Sequence, residues 1–264
     1  VPEKKKTVGA AFDQTCKVLQ LICRVRGYKY VMKLFPHEVS QLEPCLFLLL
    51  AHDRSDHSTW ETRFILLLWL CILCLIPFDI CSIDSSLSNT SLTTDAAGAA
   101  KGKSALVQDI VDTCVSYLQD TGPAREAASA CLSSLLTRPD MDSALLEDFV
   151  AMSTGTIGAW CKKGDEASKD LSSDTFQIIG VLHCLAQIFK KGHRGKILGH
   201  CAAVLLPCLA LGKQSNQLIV RKLTCKLAQR IGMTYLPPRV AAWRYQRGQR
   251  SLVKNLGSED QDKE

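Results

Sequence analysis

Thirteen consecutive apolar residues, Phe64 to Ile76, run without a break into Pro77. A helix that is apolar on every face must be surrounded by other protein. Thirteen residues fall short of the roughly 20 that a helix needs to cross a bilayer. Pro77 has no N–H and its ring collides with the preceding turn, so the helix stops there. Upstream, Ser58 and Glu61 stand at capping-box spacing. The stretch therefore predicts the central buried helix of an all-helical stack, with a membrane span as the alternative.

The rest of the chain reads as helices around it. One is expected from Asp13 to Arg26, with Val18, Leu19, Ile22 and Val25 on its inner face and Gly27 as terminator. A short helix from Tyr28 to Phe35 stops before Pro36, and Pro44 suits the first turn of the next, which continues to Leu50. Ser104 to Gln119 carries the stripe Val107, Ile110, Val111, Cys114 and Leu118. Pro123 then starts a partner with Ala127, Ala128, Cys131, Leu132 and Leu135 inward, stopped by Pro139. Further helices are expected at Asp142–Ser153, at Thr175–Phe189 behind an Asp174 cap, at Lys196–Leu211 with a break near Pro207, at Ser215–Ile231 before Gly232, and at Arg239–Leu256. Residues 1–10 read as frayed, Ser82–Ser104 and Gly155–Ser173 as loops, and Gly257–Glu264 as a disordered tail.

Almost no alternating strand pattern exists, and helix pairs recur over roughly 35–45 residues, the length of HEAT and armadillo units. The expected fold is an all-α, armadillo/HEAT-like helical-repeat solenoid. Its expected divisions are N-terminal repeats over 1–81, a flexible linker over 82–104, a helical array over 105–256 with a basic C-terminal part, and an acidic tail over 257–264.

Charge is uneven. Residues 1–174 hold 17 Lys/Arg and 22 Asp/Glu, whereas residues 175–258 hold 14 Lys/Arg and no acidic residue. A long acid-free basic segment creates a positive field suited to an acidic partner. Within it Arg221, Lys222, Lys226 and Arg230 share one helix. Arg239, Trp243, Arg247, Arg250 and Lys254 recur in steps of three and four on the next, with Arg244 and Tyr245 beside them. The candidate partner-binding residues are Arg239, Arg244, Tyr245, Arg247, Arg250 and Lys254, since Arg and Tyr anchor interfaces. The competing reading is a solvated face with Trp243 turned into the core. Nucleic acid would use the same cations, but no nucleic-acid module is recognisable and the first two-thirds of the chain is acidic.

The 13 cysteines are an odd number, and Cys16, Cys23, Cys71, Cys74, Cys114, Cys131, Cys184, Cys201 and Cys225 fall inside apolar helical patterns. Without an apolar leader behind Val1–Lys6, that pattern suggests a reducing compartment, with cysteine used as a small hydrophobe. Cys71 and Cys74 form a C-x-x-C, yet no second ligand pair and no strand-to-helix turn accompany them, so they read as core. His183–Cys184 and His200–Cys201 are adjacent pairs, which point about 100° apart on a helix and form neither a chelate nor a nucleophile–base couple. His37, His52 and His57 lie in loops. No phosphate-loop, dinucleotide, zincin or nucleophile-elbow motif occurs, and no enzyme, cofactor or metal site is expected.

Several blocks carry a family likeness: Val25–Lys29, Leu34–Val39, Trp60–Arg63, Leu66–Leu70, Cys74–Asp79, Thr137–Asp140, Ala186–Lys190 and Val240–Gly248. Together, over about residues 16–254, they resemble the early armadillo-type region of the tubulin-folding cofactor D (tubulin-specific chaperone D) family; the Ser82–Ser104 segment departs most from that pattern. The resemblance implies a scaffold, working after the chaperonin step without ATP, that captures β-tubulin and supports assembly and disassembly of the αβ-tubulin heterodimer. It implies tubulin cofactors C and E and a small Arf-like GTPase as partners, stimulation of tubulin GTP hydrolysis in the cofactor complex, and a cytoplasmic, cytoskeleton-associated setting. Family members are much longer, so a fragment or short form is expected. The alternative is a nucleic-acid-binding or general protein-interaction helical scaffold.

Overall fold

The structure is a computed structural model that describes residues 2–83, 104–163 and 173–237. The predicted helix Arg239–Leu256, the tail and most of the Ser82–Ser104 connection lie outside these residues. No strand occurs among those described.

The main helices are α1 (Pro2–Arg26), α2 (Tyr28–Val31), α3 (Leu42–Leu50), α4 (Trp60–Leu73), α5 (Ala105–Tyr117), α6 (Pro123–Leu136), α7 (Ser143–Lys163), α8 (Ser173–Lys191), α9 (Arg194–Ile197), α10 (Cys201–Gln214) and α11 (Leu218–Tyr235). Helices α1, α4, α6, α8 and α11 pack side by side in one layer. The helices α3, α5, α7 and α10 each lie against the member of that layer that follows them in sequence. Four helix pairs therefore stack in a row, which is the helical-repeat solenoid, burying each pair's faces on its neighbours.

Helix α4 is buried nearly all round, with Phe64–Leu68, Leu70, Cys71 and Leu73 in the core. It packs extensively against α6, where Cys71 meets Ser134 and Cys131 meets Cys74 just past the helix end. Its predicted ends are corrected. The Ser58–Glu61 capping box does not form. Asp56 accepts from the Ser58 N–H at 2.8 Å and opens a 3-10 turn before Trp60. The α-helix ends at Leu73, not beside Pro77, because the Pro77 ring would strike the carbonyl four residues back, that of Leu73. Leu75 and Ile76 continue as 3-10 turns, donating to Ile72 and Leu73.

Helix α1 starts at Pro2, where frayed chain was expected; proline suits a first helical position and the residues after it favour helix. Of the expected inner face only Leu19 packs against the core. Cys16, Gln20 and Cys23 are buried, while Val18, Ile22 and Val25 are exposed, Val25 at 83%. The docking face uses small and polar groups: Asp13 accepts from Thr62 Oγ1 of α4 at 2.6 Å. Gly27 ends the helix with φ +84°, a conformation glycine tolerates without strain.

The predicted loop Gly155–Ser173 is helical as far as Lys163. Ile157 is fully buried and Trp160 packs on the core, so the apolar stripe of α7 continues past Gly155, which faces open space. Helix α10 runs through Pro207 unbroken; the carbonyl freed by proline belongs to Ala203, on the exposed side where water can satisfy it. Helix α11 passes Gly232 and ends at Tyr235. Among the described residues, Arg194–Gln214 is long and apolar enough to cross a membrane. Here it is divided into α9, a 3-10 turn and α10, and its Cys201, Val204, Cys208 and Leu211 are buried in the core. Cys225 is exposed, contrary to expectation, and none of the 13 cysteines is disulfide-bonded.

Candidate functional site

The blocks that carry the family likeness meet in pairs. Trp69 donates its indole N–H to the Pro36 carbonyl at 2.7 Å, joining Leu66–Leu70 to Leu34–Val39. Arg138 is 8% exposed and joins Thr137–Asp140 to Cys74–Asp79. Its Nη1 donates to the carbonyls of Cys74 (2.6 Å) and Ile76 (2.8 Å), and Nη2 to that of Phe78 (2.7 Å). Asp140 accepts from Nε at 2.9 Å and from Nη2 at 2.5 Å, fixing the guanidinium plane. The carbonyls of the segment that follows α4 are thereby satisfied from the turn that follows α6. In the third pair the Gln187 side chain lies beside the Tyr28 phenol, bringing Val25–Lys29 to Ala186–Lys190. Within Trp60–Arg63, buried Arg63 donates to the carbonyls of Asp53 and Asp56, each at 2.8 Å, and holds the loop before α4.

The third pair brings α2 to the layer of α1, α4, α6, α8 and α11, here the inner layer, and gathers cations there. On α11, Lys222, Lys226 and Arg230 form one stripe in steps of four. On α8, His183, Gln187 and Lys190/Lys191 form another. Arg230 donates to the Ala186 carbonyl, tying the two stripes together. From α2 comes Lys29, and from α6 come Arg125 and Glu126. The Lys226 ammonium is pushed below its usual range by burial, then by Arg230, Lys29 and Lys190, with Glu126 opposing. Burial lowers His183 as well; Lys226, Arg230 and Arg125 add to the effect against Glu126, and Nδ1 has no partner among the described residues. The result is a basic inner face that repels itself and would gain from an acidic ligand.

Other cations of the acid-free segment serve the fold. Arg194 donates to the carbonyls of Thr234 (2.9 Å) and Tyr235 (3.3 Å) at the end of α11, and Lys196 to that of Pro139 (2.9 Å). Lys191 Nζ donates to the Ala130 carbonyl and to Ser133 and Ser134 Oγ at 2.9–3.2 Å. The two hydroxyls already donate to Ala130 O, so the lysine is a third donor that closes a polar site, not a base facing a nucleophile.

Thiol chemistry is disfavoured at the C-x-x-C. Burial pushes Cys71 up to about 11, and Cys74 is raised by its contact with Cys131 (Sγ–Sγ 3.9 Å) and by burial. A thiol that stays protonated is a poor nucleophile and ligand. Among the described residues no group of three or more His, Cys, Asp and Glu side chains is placed to hold a metal ion. Cys184 is in the core while His183 looks to the inner face, as the 100° argument expects. A cleft of about 430 Å³ lined by Arg54, His57, Trp60, Arg63 and Asp120 has its charges committed. Arg54 pairs with Asp120 at 2.7 Å and stacks 4.3 Å above the Tyr117 ring.

The predicted partner-binding residues Arg239, Arg244, Tyr245, Arg247, Arg250 and Lys254 lie outside the described residues, as does Trp243. Of the predicted basic face, Lys226 and Arg230 are brought to the inner surface. The sequence reading of His183 concerns only its adjacency to Cys184. Lys29 and Arg125 were not singled out from sequence, because they come from segments distant in the chain and of acidic overall composition. The signal that could have found them is the pairing of the Val25–Lys29 and Ala186–Lys190 blocks.

Residues 2–157 match the family model described as tubulin-specific chaperone D-like, ARM repeat. The chain belongs to this family. A second model of the same family, tubulin-specific chaperone D-like ARM repeats, matches residues 219–264. The chain is 27% identical over 247 residues to the tubulin-folding cofactor D of Schizosaccharomyces pombe, covering 92% of this chain and 19% of that protein. It is 31% identical over 298 residues to the tubulin-specific chaperone D of Dictyostelium discoideum, covering 88% of this chain and 20% of that one. The chain thus spans about a fifth of the length of these curated relatives. No solved structure matches it.

Proposed function

We propose that this chain is the tubulin-engaging helical scaffold of a tubulin chaperone. The family match over residues 2–157, to relatives named for tubulin folding, carries the reading. The basic inner face supports it, because tubulin is an acidic protein and opposite fields steer association. The finer role is capture of β-tubulin during assembly and disassembly of the αβ heterodimer, in concert with cofactors C and E and a small Arf-like GTPase. In that role the chain contributes binding surface to the stimulation of GTP hydrolysis and no catalytic residue, and it acts in the cytoplasm at the cytoskeleton. Residues 1–81 and 105–256 serve as two helical segments across the 82–104 connection, and Arg239, Arg244, Tyr245, Arg247, Arg250 and Lys254 extend the partner-facing surface.

Size-exclusion chromatography of the purified chain with soluble αβ-tubulin tests this at low and physiological salt. Co-elution that weakens with salt is the expected result, and reversing the charges of Arg244, Arg247 and Arg250 together reduces it further. Separate elution at both salts, from a chain shown to be helical, contradicts the proposal for this segment.

A further inference from the structure

We infer that the inner face formed by Lys29, Arg125, Lys190, Lys226 and Arg230 is a docking surface for an acidic, Asp/Glu-rich segment of the partner protein. This deepens the tubulin reading and rests on it for the partner's identity, while the surface chemistry stands on its own.

The first argument is placement. The residues come from four helices, α2, α6, α8 and α11; α6, α8 and α11 are consecutive in one layer, Arg230 bonds the Ala186 carbonyl across α11 and α8, and Tyr28 of α2 lies beside Gln187. Their periodicity within each helix is that of a face: Lys222, Lys226 and Arg230 on α11, and His183, Gln187 and Lys190 on α8.

The second argument is the balance of charge. Glu126 is the carboxylate that opposes the cations around Lys226 and His183. Backbone carbonyls satisfy Lys191, Arg194 and Lys196 elsewhere in α8–α11, and within this face they satisfy Arg230 (Ala186) and Arg125 (Asp120, 2.8 Å). Lys29, Lys190 and Lys226 are set against one another, with Lys29 and Lys190 exposed and Lys226 half-buried. Like charges held together destabilise a free fold and are relieved when a ligand of opposite sign binds. Carboxylates on an extended segment would meet the two stripes in turn and form charge-assisted hydrogen bonds with lysine and arginine. A nucleic-acid phosphate chain offers the same charge, and rings lie beside two of these cations, Tyr28 under Lys29 and Phe176 under Arg125; the tubulin-named relatives favour an acidic protein segment, and the oligothymidylate arm of the test separates the two.

The test compares the wild-type chain with two triple variants. The inner variant is K29E/K190E/K226E, built from residues that make no hydrogen bond the fold relies on. The control, on α1, α7 and α10, is R24E/K162E/K213E, all exposed. Circular dichroism establishes that each is helical. Binding is then measured to a synthetic glutamate-rich peptide, to αβ-tubulin and to an oligothymidylate of similar charge. The expected result is salt-sensitive binding of peptide and tubulin, weakened about tenfold or more in the inner variant and little changed in the control. If the inner variant binds tubulin as wild type does, the docking surface is wrong and the tubulin reading stands. If wild type binds the peptide through this face and ignores tubulin, the surface stands and the tubulin reading fails. Binding of neither acidic probe, or a clear preference for the oligothymidylate, overturns the inference.

Discussion

Arg138 Nη1 lies 2.6 Å from the carbonyl oxygen of Cys74, 64 residues earlier in the chain. That contact, with its companions to Ile76 and Phe78, ties the end of α4 to the end of α6 and couples the two most buried helices of the stack.

Replacing Arg138 with alanine leaves three carbonyls without their donor in a buried site. A loss of about 3 kcal/mol in unfolding free energy is expected, since each stranded buried acceptor costs about 1 kcal/mol or more. Urea unfolding followed by circular dichroism checks it. R138K keeps the charge and loses the planar fork, so it is expected to recover only part of the loss; full recovery would mean that charge, not the bidentate geometry, is what matters.

Two glycines make opposite predictions. A Cβ on Gly180 would stand 2.3 Å from the Leu118 carbonyl oxygen, backbone that cannot move aside. G180A is expected to cost about 1–3 kcal/mol by overpacking. A Cβ on Gly155 meets nothing within 4 Å, and the residue is exposed inside α7. G155A is expected to stabilise by roughly 0.5–1 kcal/mol, the helix-interior difference between glycine and alanine. Paired denaturation curves decide both.

His183 gives a pH dependence. Its folded pKa is depressed, by burial first and then by Lys226, Arg230 and Arg125 against Glu126. The unfolded chain therefore binds the proton more readily than the folded one. The stability is complete above the ordinary imidazole value of about 6.5 and falls as pH drops through it toward the folded pKa. H183Q is expected to flatten the urea midpoint between about pH 5 and 7, above the range where ordinary carboxylates titrate. An unchanged slope in the variant would show that another group is responsible.

The Trp69–Pro36 bond is a milder probe. W69F keeps the ring packing and removes the 2.7 Å donor, so a loss of about 1 kcal/mol is expected by thermal or urea unfolding.

Much of the stack could be read from residue type alone. An uninterrupted apolar run such as Phe64–Ile76 has only one stable place, inside, and the small residues of Pro123–Leu136 announce a helix that neighbours approach closely. Periodicity was less informative where a helix docks with small or polar groups. The inner face of α1 is Cys16, Gln20 and Cys23, and the larger Val18, Ile22 and Val25 misdirected the expectation. Glycines misled in α7, because Gly155 sits on the solvent side of a helix that Ile157 and Trp160 hold from within. The basic inner face was legible only in half. Lys226 and Arg230 stand in an obviously basic segment, but Lys29 and Arg125 reach the same surface through the stacking order of the helices, which no local pattern encodes.

Hydrogen exchange of the chain, free and with αβ-tubulin, tests the central claim most directly. Added protection at 26–31, 183–191 and 222–231, with the outer helices at 143–163 and 201–214 unchanged, is the result expected of a scaffold that engages its partner through the basic inner face. Protection confined to the outer helices, or none in a sample where the two proteins co-elute, would contradict it.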